Sequence, residues 1–171
     1  MKYLLLTLIL LTTAVSAQEM PLLAKHGIYL EGEGSSYYYS LNYENRYNNN
    51  VRLRGGLTLL QDVGGNGTSA LSIPVSYSYL IAFFHSKVEL GASINFLFLT
   101  NKKFPGFKER ASGFYLIPSV LFGYRYEPDI EGLYYRIFLA PVFSRDVGVT
   151  NLGLSIGYGF KDFGFFSRIF K

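Results

Sequence analysis

The chain has no cysteine and no tryptophan, and its only histidines are His26 and His85. Without thiols there is no disulfide framework, no thiolate chemistry and no lipidated cysteine behind a leader, so an exported domain must find its stability elsewhere. Two histidines far apart, with no cysteine and no carboxylate at ligand spacing, do not make a metal set. Beyond residue 17 no apolar run approaches the roughly 20 residues of a membrane-spanning helix. The charge balance, 16 Lys and Arg against 12 Asp and Glu, is only mildly basic, and no nucleic-acid partner is expected from it.

What the chain does have begins at its start. Lys2 gives a positive end, Tyr3 to Leu11 an apolar stretch, and Ala14 to Ala17 the small residues that precede a cleavage site. Residues 1–17 therefore read as a secretory signal peptide, too short to be retained as a span, and residues 18–171 as one exported domain.

Within that domain apolar and polar side chains alternate. Tyr37, Tyr39, Leu41 and Tyr43 share one face, and Tyr38, Ser40, Asn42, Glu44 and Arg46 the other. The same split sets Val51, Leu53, Leu57 and Leu59 against Arg52, Arg54 and Thr58. It also sets Val88, Leu90, Ala92, Ile94, Phe96 and Phe98 against Lys87, Glu89, Ser93 and Asn95. Leu133, Tyr135, Ile137 and Leu139 oppose Arg136, and Val120, Phe122 and Tyr124 oppose Ser119, Gly123 and Arg125. A strand with one face in lipid and the other in a polar lumen requires this period of two. The pattern predicts strands over 27–34, 36–47, 50–60, 69–81, 87–99, 113–126, 132–143 and 151–160, with 27–47 as one bent strand kept as an alternative. Pro74, Pro118 and Pro141 each remove a ladder donor and are expected to mark bulges or interrupted pairing.

The expected fold class is all-β, a closed antiparallel up-and-down transmembrane β-barrel of about eight strands, followed by a short tail at 161–171. Connections at 48–50, 84–86 and 127–131 are short, whereas 61–68, 100–112 and 144–150 are longer and rich in Gly, Asn, Asp or Lys. With periplasmic termini these short ones fall inside and the long ones outside, as in outer-membrane barrels; the first connection, near Gly34 to Ser36, breaks the rule by being short. Fifteen Tyr and fifteen Phe, many near strand ends, suit an aromatic girdle at the membrane boundary.

Five strings recur in order that carry a resemblance: Ser40-Leu41-Asn42-Tyr43-Glu44, Pro74 to Leu80 (PVSYSYL), Glu89-Leu90-Gly91-Ala92, Phe122 to Pro128 (FGYRYEP) and Leu154 to Phe160 (LSIGYGF). With them the mature chain resembles the small, mostly uncharacterised outer-membrane β-barrel proteins of Bacteroidetes-type bacteria. The resemblance implies an integral outer-membrane location and handling by the barrel-assembly machinery, which recognises a terminal aromatic residue, here Phe160 or Phe170. It implies no reaction.

The inward faces collect Glu31, Glu33, Glu44 and Glu89 with Arg46, Arg52, Arg54, Lys87, Arg125 and Arg136. Paired carboxylates can serve acid–base catalysis. A narrow lumen with more cations than carboxylates points instead to a salt-bridged polar plug, since buried charges need partners. His26 and His85 are expected at the periplasmic rim, and Ser86 points away from its neighbour His85, so no nucleophile–base pair emerges. Gly64-Gly65-Asn66-Gly67 lacks the strand–loop–helix setting of a phosphate cradle and reads as an outer loop. Lys102, Lys103, Phe104, Phe107, Lys108 and Arg110 form a basic, aromatic loop able to meet anionic sugar or phosphate, or another protein, at the cell surface; a solvated loop is the plainer reading.

The sequence thus predicts a non-enzymatic, cofactor-free integral outer-membrane barrel with a plugged polar lumen, in contact with outer-membrane lipid and serving a structural or surface-interaction role. The alternative is a narrow transporter or channel for small solutes. A soluble, ligand-holding barrel would reverse the two faces.

Overall fold

Along residues 39–46 the alternation becomes a strand whose faces differ in burial: Tyr39, Leu41 and Tyr43 are exposed, and Ser40, Asn42, Glu44 and Arg46 are buried. The computed structural model describes residues 24–33, 38–61, 69–83, 86–100, 112–128, 131–143 and 150–162. They form eight strands: β1 (His26–Glu33), β2 (Tyr39–Arg46), β3 (Val51–Leu60), β4 (Ser69–Phe83), β5 (Ser86–Thr100), β6 (Gly113–Tyr126), β7 (Gly132–Pro141) and β8 (Thr150–Phe160). The signal peptide, the Gly64 to Gly67 stretch, His85, the six loop residues from Lys102 to Arg110, and Phe170 lie outside the described residues.

Each strand pairs antiparallel with the next, and β8 returns to β1 from His26 opposite Phe160 to Glu33 opposite Gly153, closing the barrel. Residues 27–47 are two strands rather than one: β1 and β2 pair from Gly32 opposite Tyr39 to His26 opposite Asn45. Closure leaves no free sheet edge. An even strand number puts residues 24 and 162 at the same end as the short connections after β2, β4 and β6.

The outward face is apolar and the inward face holds the charges. Leu30, Leu133, Leu59, Ile156 and Leu154 are 57–64% exposed, whereas Arg52, Arg125, Glu44 and Glu89 are 0% exposed. The interior is not polar throughout, as the sequence reading had it. Following inward residues along β5 from the short-connection end, Glu89 gives way to Ser93 and Asn95 and then to Leu97 and Leu99; along β3, Arg52 and Arg54 give way to Thr58 and Leu60. At the long-connection end Leu60, Ala70, Leu97, Leu99 and Ile117 pack together, with Tyr38, Tyr115 and Val142 against them. Leu121, Phe138 and Ala140 form a second apolar cluster.

The prolines interrupt pairing. The β3–β4 ladder skips the step where Gly56 and Leu57 would face Pro74 and Ile73. The β6–β7 ladder runs only from Tyr126 opposite Tyr135 to Phe122 opposite Leu139, then resumes as a single bridge between Ser119 and Val142.

Candidate functional site

The registers of β2 and β3 place Glu44 opposite Arg54 and Arg46 opposite Arg52, all inward. Arg46 Nε donates to Glu44 Oε1 at 3.1 Å and Arg54 Nε donates to Oε2 at 2.9 Å. From β6, across the interior, Arg125 donates through Nη1 to Oε2 at 2.7 Å and through Nη2 to Oε1 at 2.6 Å. Arg52 Nε stands 3.8 Å from the same carboxylate. Charge-assisted and bidentate bonds of this kind are the strong ones, and together they occupy the acceptor sites of one carboxylate.

A second carboxylate, Glu127, completes the cluster. It lies 2.5 Å from Arg52 Nη2, 2.5 Å from Arg125 Nε and 3.0 Å from Lys87 Nζ. Further along the interior, Glu89 pairs with Arg54 Nη2 and stands 3.7 Å from Arg136 Nε, and Arg136 Nη2 reaches Glu31 at 3.2 Å. Arg54 also donates to Ser78 Oγ at 2.5 Å.

Aromatic rings fill the space the ions leave. The Arg125 guanidinium carbon lies 4.4 Å from the Tyr134 ring centroid, and that of Arg136 lies 3.8 Å from Phe138. Such contacts add attraction in a desolvated setting. Tyr134 and Arg46 fit because β1 and β8 carry glycines there. A Cβ at Gly157 would stand 2.4 Å from Tyr29 Cβ and 2.8 Å from Tyr134 Cζ, and one at Gly159 would stand 2.7 Å from Arg46 Nη2.

The structure therefore brings together Glu31, Glu44, Arg46, Arg52, Arg54, Lys87, Glu89, Arg125 and Arg136, and separates Glu33 from them. Glu33 ends β1 with φ of 55°, and its side chain is exposed. It follows Glu31 in the period of two, but the left-handed backbone ends the alternation there. Glu127, Tyr29, Tyr134 and Phe138 are members that the sequence reading did not assign. For Glu127 the signal was present: it continues the inward series of Gly123 and Arg125 past the end of β6.

Carboxylates held this way suit structure better than proton transfer. Glu44 accepts four hydrogen bonds from guanidinium groups and has no lone pair in reserve for a substrate proton. His26, half-buried at the short-connection end, shares a 2.6 Å hydrogen bond with the Tyr43 hydroxyl and packs beside Phe160. Among the described residues no three His, Cys, Asp or Glu side chains are grouped to hold a metal ion. Among the described residues, four carboxylates face five guanidinium groups and Lys87, two positive charges in excess. Comparison with family models, with curated proteins and with solved structures returns no match.

Proposed function

We propose that the chain is an integral outer-membrane barrel whose lumen is plugged by its ion-pair network, with a structural or surface-interaction role and no catalytic one. The observation that carries this reading is the inversion of faces: exposed leucines, isoleucines and aromatics around the outside, and fully buried arginines and glutamates within. In water the outward face would be one continuous apolar surface, far beyond what a soluble monomer exposes. In hydrocarbon it is the solvated face, and only a closed barrel satisfies strand backbones there.

Strands of 8–15 residues bracket the roughly 9–11 needed to cross at a tilt. Tyr126 stacks on Tyr135 and Tyr43 lies beside His26 near the short-connection end, in keeping with a girdle. The signal peptide at 1–17 would deliver the chain across the inner membrane, the assembly machinery would insert it, and outer-membrane lipid would be its main partner. The long connections, including Lys102, Lys103, Phe104, Phe107, Lys108 and Arg110, would carry any contact with surface polysaccharide or another protein.

Epitope tags on intact cells test the location and orientation together. A tag between Phe104 and Lys108 should be accessible and one at Asn49 protected until the outer membrane is breached; the reverse pattern, or neither tag in the outer-membrane fraction, defeats the reading. The excess of positive charge favours one rival, a narrow pore for small anions. Steady single-channel currents in planar bilayers would support that rival, and the plugged reading predicts their absence.

A further inference from the structure

Glu127 differs from Glu44 in how its backbone is held. Glu44 sits within a ladder on both sides, opposite Gly27 and Arg54, and is fixed in the wall. Glu127 follows the last residue of β6, and the ladders on either side of that strand end at Arg125 and Tyr126. Its side chain nevertheless turns into a pocket of four cations at the short-connection end. Oε1 accepts from Arg52 Nη2 at 2.5 Å and from Lys87 Nζ at 3.0 Å. Oε2 lies 2.5 Å from Arg125 Nε and 3.9 Å from Arg46 Nη2, and none of these three atoms makes a hydrogen bond. Arg52 Nε lacks one too, although Arg46, Arg52 and Arg125 are at most 3% exposed. Buried donors are ordinarily paired. The tethered carboxylate thus matches the charge of the pocket but not its donors, since the main chain sets the angle at which it enters.

We propose that this pocket is a receptor for the carboxylate of a small organic acid from the periplasm, and that Glu127 is its tethered, displaceable occupant. The inference rests on the orientation given under Proposed function, which makes the short-connection end periplasmic. Glu127 itself shows that the space suits the ligand, because its own carboxyl group fills it. A free acid brings the same group without the constraint of the chain and can align with Arg46, Arg52 and Arg125 together. Departure of Glu127 alone would leave the four cations with Glu44 as their remaining carboxylate among the described residues, a strongly unfavourable state for buried charge. Glu127 therefore yields only to another anion, and the exchange keeps the pocket compensated throughout. Lys87, whose side chain is 14% exposed, marks the way in. The aliphatic cluster closes the far end, so the acid enters and leaves by the same mouth.

The test titrates full-length protein, refolded in detergent, with isotope-labelled formate and follows the NMR line width of the formate. Sodium chloride makes up a constant ionic strength, so binding reports the carboxylate and not charge alone. Native protein should bind formate saturably. Glu127→Ala should bind it tighter by about tenfold or more, because a tethered competitor acts at an effective concentration in the millimolar range or above. Where Glu127→Ala does not fold in chloride, formate should restore its folding, and a variant that folds in neither salt overturns the receptor. Equal affinity in the two proteins would put the formate elsewhere, and binding by the variant alone would make Glu127 a fixed strut. Either result overturns the proposal, as does the absence of saturable binding in both proteins. Binding in detergent is indifferent to orientation, so it stands or falls separately from the tag experiment.

Discussion

Arg125 on β6 and Glu44 on β2 clasp each other across the barrel through two hydrogen bonds of 2.7 and 2.6 Å, with both side chains fully buried. Strands on opposite walls are thereby tied by side chains as well as by the ladders between neighbours. Glu44 is the hinge of the network, since Arg46, Arg52 and Arg54 gather on the same carboxylate.

Glu44→Ala should therefore destabilise the folded barrel strongly. It raises the cationic excess by one and leaves Arg125 without its clasp; breaking one partner of a buried pair costs about 3–5 kcal/mol. Glu33→Ala, which removes an exposed carboxylate at the other end of the barrel, should be close to neutral. Unfolding midpoints of the refolded protein in detergent give both numbers, and Glu44→Ala combined with Arg125→Met should recover part of the loss. Equal losses from Glu44→Ala and Glu33→Ala, or no recovery in the double variant, would dissolve the network as a source of stability.

The glycines beside Tyr134 give a separate prediction. A methyl group at Gly157 would collide with Tyr29 Cβ at 2.4 Å and with the Ile28 carbonyl at 2.6 Å, while one at Gly55 meets nothing within 4 Å. Gly157→Ala should cost about 1–3 kcal/mol as the ring and backbone are pushed aside, and Gly55→Ala should leave the midpoint nearly unchanged. Matching midpoints for the two variants would show that the Tyr134 ring is not held where the structure has it.

The parity of the sequence made the fold readable because most strands alternate cleanly. In β2 every second residue from Ser40 to Arg46 is polar, so register and facing follow from composition alone. Hydropathy goes silent in the run from Phe96 to Leu99, where both faces are apolar, and the aliphatic half of the interior could not be seen there. Glu127 was hidden by the boundary of β6, since a residue placed in a turn loses its parity. Tyr29 and Tyr134 share the parity of inward Glu31 and Arg136, but parity gives only the face; the missing side chains at Gly157 and Gly27, which open space for the Tyr134 ring, are what let so large a ring lie inside.

Salt separates buried ion pairs from pairs in a wet pore. Charges excluded from solvent are screened little, so raising ionic strength from about 0.05 M to about 1 M should shift the unfolding midpoint far less than Glu44→Ala does. A salt-induced loss as large as that of the variant would mean that ions reach the network and that the lumen is open.

The central claim, that the apolar outward face lies in lipid, is tested most directly on β7 by nitroxide accessibility. The chain has no cysteine of its own, so single replacements at Leu133, Tyr135, Ile137 and Leu139 each carry one spin label without background. In protein reconstituted into vesicles, labels at Tyr135 and Ile137 should relax readily with dissolved oxygen and hardly at all with a polar nickel chelate, with chelate access rising towards either end of the strand. Uniform access of the nickel chelate along all four positions would place this face in water and contradict the account.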